Sequence, residues 1–154
     1  MEMTTRVRMR ADPDTIYALA AAVEDWPRIL PHYRWVRVLR RDGRRRLVEM
    51  AASRDGIPVR WTAIQTLDPA ERRIAFRHVR GVTRGMEVAW SLVPGEHGVL
   101  VSIWHAFHPG WPLVPDALVS LVVGRFFVDN IASKTLERIK ALAEAGAHPV
   151  EPLR

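Results

Sequence analysis

The chain has 154 residues, a length that suits one domain with a sizeable hydrophobic core. Hydrophobic residues make up 48% of it and charged residues 26%, which excludes a largely disordered chain. There is no cysteine, so disulfides, thiolate metal sites and cysteine nucleophiles are excluded. We therefore expect a single domain over residues 1–154, with a loose tail at 147–154.

The apolar segments of the chain are short. No signal sequence is recognisable at the N-terminus. The most apolar run, residues 117–123, is much shorter than the roughly 20 residues of a membrane-spanning helix. Together with the lack of cysteine, these observations predict a soluble, cytoplasmic protein.

The formal net charge is +6 and comes almost wholly from arginine. The densest basic cluster, residues 40–46, flanks the turn signal Asp42-Gly43. A nucleic-acid surface would instead gather basic residues on one face with aromatic residues between them. The cluster is typical of a solvated hairpin tip, and we predict no nucleic-acid partner.

Two helices follow a short first strand around residues 5–10. Asp12-Pro13-Asp14 is typical of a helix start, so a helix is predicted from there to about Val23. A shorter helix at 26–30 stops before Pro31, and its Trp26 is expected to anchor it to a sheet. His32 is predicted to be exposed.

The middle of the chain indicates an antiparallel meander. Asp-Gly pairs at 42–43 and 55–56 are strong hairpin signals between strand-like runs. The six predicted strands are 35–41, 44–54, 57–67, 71–79, 85–93 and 99–108.

Alternation along these strands predicts one apolar, inward face. Polar side chains are set into it at Gln65, His78 and His105. Its large members are Trp61, Phe76, Met86 and Trp90. The tryptophans suit either a packed core or the wall of a ligand cavity. Trp104 is predicted on the opposite face, and Trp111 in a loop near a cavity mouth.

A long C-terminal helix is predicted from Asp116, as its N-cap, to about Ala145, with Gly146 as a stop. Its second half is amphipathic and should lie against the sheet. Between residues 117 and 128 it is apolar on nearly every side. That part is either buried on both sides or faces a ligand cavity, a partner or a membrane surface.

Short motifs accompany this order of strand, two helices, meander and long helix. They are VEDWP at 23–27, PHY at 31–33, VRVL at 36–39, VRWT at 59–62, LDP at 67–69, GM at 85–86 leading to Trp90, and Asn130 ahead of TLERIK at 135–140. On these motifs, residues 4–145 resemble the START-like superfamily, also called SRPBCC, and within it the polyketide cyclase/dehydrase family, which includes coenzyme Q-binding proteins. The resemblance implies an α+β helix-grip fold: a curved antiparallel sheet of about seven strands around a long C-terminal helix, with two short helices after strand 1.

The resemblance also implies a deep, mostly apolar cavity between sheet and helix. In aromatase/cyclases of this family, a tyrosine, a strand arginine and serine, and a helix asparagine shape the folding and dehydration of a poly-β-ketone. Tyr33 and Asn130 fall at the tyrosine and asparagine positions. The strand departs from the pattern Trp-x-Ser-x-Arg, because Gln65 stands where the arginine would be. A glutamine orients a carbonyl but cannot protonate it or stabilise charge as a cation would.

These residues define the expected site. The candidates for acid or base chemistry are Tyr33, His78 and His105, with the catalytic residues themselves left unassigned. No metal site and no cofactor are predicted, since metal-ligand spacing and nucleotide motifs are missing from the sequence. The expected ligand cavity comprises Tyr33, Trp61, Gln65, Phe76, His78, Met86, Trp90, His105, Phe127 and Asn130.

The leading hypothesis is binding of a hydrophobic or aromatic small molecule, such as a polyketide, lipid or quinone, in this cavity. One alternative is a polyketide aromatase/cyclase or dehydratase acting in the same cavity, without metal or nucleotide. A second alternative is a membrane-associated lipid or quinone carrier, in which residues 117–123 and the Trp111 loop touch the bilayer. Membrane contact is the less favoured partner, and the oligomeric state stays open.

Overall fold

The computed structural model describes residues 1–147, apart from the side chains of Phe126, Phe127 and Ala147. The expected loose tail at 147–154 lies outside the described residues except for the backbone of residue 147. Within this range the chain forms one seven-stranded antiparallel sheet with helices on one side.

The strands follow each other round the sheet in the order β1-β7-β6-β5-β4-β3-β2, and every neighbouring pair is antiparallel. Their bounds are β1 Glu2–Met9, β2 Tyr33–Asp42, β3 Arg45–Arg54, β4 Ile57–Asp68, β5 Arg73–Gly81, β6 Glu87–Gly95 and β7 Gly98–Ala106. The six-stranded meander is confirmed, and the first strand joins it by pairing with the last. At Asp55-Gly56 both turn residues have positive φ, the backbone that the Asp-Gly signal predicts.

The first helices lie between β1 and β2. Helix α1 spans Pro13–Ala21, and the side chain of Asp12 accepts a hydrogen bond from the backbone N–H of Thr15, so the predicted helix start is confirmed. A single 3₁₀ turn, Val23–Asp25, leads into α2, Trp26–Ile29. The indole N–H of Trp26 donates to the carbonyl of Leu19 at 3.1 Å, which fixes α2 against α1.

The C-terminal helical segment is long, as expected, but it is not one continuous α-helix. It consists of α3, Asp116–Val119, a ten-residue π-helix, Ser120–Asp129, and α4, Asn130–Ala147. Two predicted details are wrong. Pro115 occupies the N-cap position in place of Asp116, and the helix continues through Gly146, which has no backbone conformation that would stop it.

The wide turns of the π-helix explain how an all-round apolar segment is accommodated. Val119 and Gly124, and likewise Val123 and Val128, are buried and stand five residues apart, the hydrogen-bonding interval of a π-helix. Leu121 and Val122 between them keep about half of their surface exposed. After Asn130 the ordinary amphipathic spacing returns, and Leu136 and Ile139 are fully buried against the sheet.

Candidate functional site

A cavity of about 340 Å³ lies between the inner face of the sheet and the C-terminal helical segment. Its volume falls within the range of small-molecule sites, and most of its walls are apolar. Strands β2 to β7, helix α2, the β5–β6 and β7–α3 loops, and the π-helix and α4 contribute side chains. The lining residues are Trp26, Tyr33, Met50, Pro58, Val59, Arg60, Trp61, Phe76, His78, Val82, Thr83, Met86, Val88, Trp90, Ile103, His105, Trp111, Val122, Val123, Val128, Ile131, Ala132 and Thr135.

Seven of the ten side chains expected at the cavity line it. They are Tyr33, Trp61, Phe76, His78, Met86, Trp90 and His105. Gln65 and Asn130 are not among the lining residues, and the side chain of Phe127 lies outside the described part of the structure. Trp111 lines the cavity from the loop after β7 and meets Phe107 edge to face at 5.7 Å between ring centres.

Gln65 supports a helix end in place of facing the cavity. Its side chain is fully buried, and its Nε2 donates to the carbonyl of Ala21, the last residue of α1, at 3.0 Å. The last carbonyls of a helix lack partners within the helix, so this amide satisfies one of them. The strand position was predicted correctly as inward, but the group above it is α1.

Asn130 begins α4 and is only partly buried. Its Oδ1 is buried and accepts no hydrogen bond from the described residues. The amide thus lies at the junction of the π-helix and α4, away from the cavity lining.

Aromatic rings form the deep wall of the cavity. The ring centre of Trp26 is 4.9 Å from that of Tyr33, 6.0 Å from that of Trp90 and 6.4 Å from that of Phe76. Tyr33 also meets Trp61 edge to face at 6.1 Å. Such contacts stabilise a rigid wall on which a flat ligand can stack. Trp26 was expected as an anchor, and sequence reasoning missed its place in the lining.

His78 lies on β5 between an aromatic ring and a loop. Its imidazole stacks on Trp61 with 5.5 Å between ring centres and 3° between planes. Its Nδ1 is 2.7 Å from the hydroxyl of Thr83 in the β5–β6 loop. Burial, and secondarily the nearby His105, lower the pKa of His78 to about 3, so the ring is neutral near pH 7.

His105 faces the cavity from β7. Its Nδ1 is buried and has no hydrogen-bond partner among the described residues. Burial lowers its pKa to about 4, so this ring is neutral near pH 7 as well. A neutral imidazole carries one N–H donor and one nitrogen acceptor, so the hydrogen-bonding capacity of His105 is not fully used by the described residues.

Tyr33 adds a hydroxyl to the cavity wall. It is buried within an aromatic cluster, packed against Trp26 and Trp61. Burial raises the pKa of the Tyr33 hydroxyl, which therefore keeps its proton near neutrality and can donate it in a hydrogen bond.

His32 was predicted to be exposed, and this prediction is wrong. It is 9% exposed, and its Nε2 is 2.9 Å from the hydroxyl of Thr135 on α4. The Thr135 hydroxyl donates to the carbonyl of Ile131 at 2.7 Å, which leaves its oxygen to accept from His32. Burial, and then Lys134, lower the pKa of His32 to about 4. The short turn at Pro31 brings the ring of His32 under α4. The periodicity of strands and helices in the sequence does not predict this contact.

Among residues 1–147, no group of three or more histidine, cysteine, aspartate or glutamate side chains is arranged to hold a metal ion. In the same part of the chain, none of the helices combines the length and apolarity needed to cross a membrane.

A seven-stranded antiparallel sheet curved around a long C-terminal helix, with a cavity between them, defines the helix-grip class of fold. Solved structures share it over nearly the whole chain. The Zhui aromatase/cyclase from a Streptomyces species aligns with a TM-score of 0.80 and 18% identity over 99% of each chain. A START superfamily protein from Mycobacterium smegmatis aligns with a TM-score of 0.74 and 21% identity, covering 92% of this chain and 98% of the other.

Residues 9–137 match the family model described as polyketide cyclase / dehydrase and lipid transport, and the chain belongs to this family. It is 31% identical over 150 residues to the granaticin polyketide synthase bifunctional cyclase/dehydratase of Streptomyces violaceoruber. It is 29% identical over 147 residues to the actinorhodin counterpart of Streptomyces coelicolor. The alignments cover 96% and 94% of this chain but 45% of each relative, so the chain spans about half the length of these proteins.

Proposed function

We propose that this protein binds a hydrophobic or aromatic small molecule, such as a polyketide, lipid or quinone, in the cavity between sheet and C-terminal helix. The observation that carries the proposal is a cavity of about 340 Å³ whose wall combines clustered aromatic rings with a few polar side chains, Tyr33, His78 and His105 among them. Aromatic rings stack on flat ligands, and a few placed polar groups orient them. Family membership and the polyketide cyclase/dehydratase names of the relatives support the same ligand class.

Tryptophan fluorescence offers a direct measurement, because four of the six tryptophans line the cavity and Trp35 and Trp104 do not. Titration with an anthraquinone, a ubiquinone analogue and a long-chain fatty acid is expected to quench the emission saturably for at least one of them.

Ala132→Phe, on the helical wall, should fill the cavity and weaken binding by about tenfold or more. Ala89→Phe, on the outer face of β6, is the matched control and should bind as the wild type does. Equal affinities of all three proteins would contradict the proposal.

A second candidate is cyclisation and dehydration of a poly-β-ketone in the same cavity. It is favoured by the neutral imidazole of His105, a base, on the same cavity lining as the protonated hydroxyl of Tyr33. In aldol closure a base removes a proton from carbon beside a carbonyl, and the resulting enolate attacks a second carbonyl. The protonated base returns its proton to the alkoxide, and dehydration then removes the new hydroxyl as water together with a second proton from the carbon beside the carbonyl. His105 would accept the first proton, and Tyr33 would donate a hydrogen bond to the developing oxyanion.

Kinetics separate this candidate from binding alone. Tyr33→Phe should lower kcat for a reactive poly-ketone surrogate by about tenfold or more while leaving KM nearly unchanged, since the hydroxyl would act mainly on the transition state. Ile103→Val, a lining substitution without a polar group, is the control. Equal losses of kcat in both variants would show that the Tyr33 hydroxyl has no catalytic role and would favour binding alone.

A third candidate is a membrane-associated lipid or quinone carrier. Leu113, Leu118, Leu121 and Val122 expose 44% to 103% of their surface in and beside the C-terminal helical segment, and Val122 also lines the cavity. Exposed apolar side chains at a cavity mouth suit contact with a bilayer. Co-sedimentation with anionic liposomes should then exceed background and fall in Leu118→Ser/Leu121→Ser; background levels with every lipid would count against this candidate.

A further inference from the structure

We propose that Thr83 is a positioning residue that holds His78 in the Nε2–H tautomer, so that His78 donates a hydrogen bond to a carbonyl oxygen of the bound molecule. The inference rests on the proposed binding function and adds to it the polar contact that a ligand must satisfy. Thr83 lies in the β5–β6 loop, where the sequence has no strand or helix pattern.

The hydrogen bond between His78 and Thr83 has one arrangement that satisfies both groups. Nδ1 and the Thr83 hydroxyl are 2.7 Å apart, and that hydroxyl bonds no other side chain or backbone group of the described residues. If Nδ1 carried the proton, the hydroxyl would accept it, and its own proton would have no acceptor among the described residues. The hydroxyl therefore donates to Nδ1, and in a neutral imidazole the proton then resides on Nε2.

The orientation of the His78 ring is fixed by its neighbours. Trp61 stacks on one face of His78 with the planes 3° apart, which restricts rotation of the imidazole. The backbone of Thr83 is held as well, because Met86 donates its N–H to the carbonyl of Thr83 at 2.9 Å. The ring is thus fixed by an aromatic plane on one side and a braced loop on another, and a fixed donor loses little entropy when it binds.

The Nε2–H group of His78 is available to a molecule in the cavity. His78 lines the cavity, and Nε2 bonds none of the described residues. Arg60 is the one lining residue with a permanent charge in the described part of the chain, and it is exposed at its strand position. A neutral N–H on a largely apolar wall matches a neutral acceptor, and a carbonyl on a flat ring system can reach it while the rings stack on the aromatic wall.

The tautomer is tested without any ligand by ¹⁵N NMR of histidine-labelled protein near pH 7. The wild type and Thr83→Ser, which keeps the hydroxyl, should show His78 as the Nε2–H form. Thr83→Val, which has the same shape without the hydroxyl, should show a mixture or the Nδ1–H form. Thr66→Val, on an exposed strand position, is the control for a threonine substitution elsewhere. A wild type with the Nδ1–H form would overturn the proposal.

The contact is tested with 9-fluorenone and fluorene, two flat probes that differ only in the carbonyl. The wild type and Thr83→Ser should bind fluorenone about fivefold more tightly than fluorene, and Thr83→Val should lose that preference while its affinity for fluorene stays the same. The carbonyl stretch of bound fluorenone should shift to lower frequency in the wild type and shift back in Thr83→Val.

A purely structural role of Thr83 would change the affinities for both probes equally and leave the carbonyl stretch unmoved, which would overturn the proposal. Binding of both probes without preference would contradict only the role of His78, whereas binding of neither probe would contradict the proposed function too.

Discussion

Gln65 illustrates how one inward side chain can serve the fold and not the cavity. Its amide holds the last carbonyl of α1 at 3.0 Å, while its own Oε1 is buried without a partner in the described residues. We predict that Gln65→Leu lowers the free energy of unfolding by about 1 kcal/mol, because the lost donor is partly offset by removal of the unpaired oxygen. Ligand affinity should not change.

Denaturant unfolding and fluorescence titration of the same protein measure the two quantities. Phe76 pairs with Gln65 across β4 and β5 and lines the cavity, so Phe76→Leu is the matched control that should alter affinity. A loss of affinity in Gln65→Leu with unchanged stability would place Gln65 in the site and contradict this account.

At the residue scale, strand alternation predicted which side chains point inward but not what lies above them. His78, His105, Trp61 and Trp90 were predicted inward, and all four line the cavity. Gln65 shares that inward face, yet a helix end lies over it, and the docking of α1 has no periodic signal in the strand. Whether the lining residues contact a ligand stays a prediction.

At the scale of an element, Gly81 lies where the end of β5 passes close to β4. Its φ is +101°, and a Cβ there would lie 2.8 Å from the backbone oxygen of Arg60. We predict that Gly81→Ala costs about 3 kcal/mol of stability, since neither the backbone angle nor the contact can relax cheaply. Because Gly81 begins the loop that carries Thr83, the affinity of the cavity for fluorenone should fall as well.

Gly43 provides the comparison for Gly81. It also has a positive φ, +58°, but a Cβ there would meet no atom within 4 Å. Gly43→Ala should cost about 1 kcal/mol, the ordinary penalty of a left-handed alanine. Chemical denaturation of both variants isolates the backbone contact, and equal losses would show that the contact with Arg60 is unimportant.

The elements themselves were largely predictable, because each has a local cause. Asp-Gly turns and alternating strands gave the meander, and Asp12-Pro13 gave the start of α1. The π-helix was not predictable, since a segment that is apolar on all sides contains no period from which its winding could be deduced. The burial of His32 was missed for a related reason: it depends on α4, a hundred residues away in the chain.

At the scale of the whole molecule, a cavity with neutral imidazoles makes stability depend on pH. Burial lowers the pKa of His78 to about 3 and that of His105 to about 4, whereas an unfolded histidine titrates near 6.5. Above about pH 6.5 both states are neutral and nothing is gained or lost. Below it the unfolded chain binds protons that the folded chain refuses, so stability falls with pH until the folded pKa values are reached.

The size of this effect follows from the separation between pH and the unfolded pKa. At pH 5 that separation is about 1.5 units, so each of the two cavity histidines, like the buried His32, should lower the free energy of unfolding by about 2 kcal/mol relative to pH 7.5. His105→Leu removes one of these groups, and its loss of stability between pH 7.5 and pH 5 should be smaller than that of the wild type by about 2 kcal/mol. His97→Gln, at an exposed histidine, is the control.

Guanidinium unfolding at the two pH values measures this loss of stability. If His105→Leu loses as much stability as the wild type, then His105 is protonated in the folded protein at pH 5 and the prediction is wrong. A drop reduced as predicted would mean that the polar atoms of the cavity are maintained at a cost to acid stability, as expected where they are kept for a ligand and not for packing.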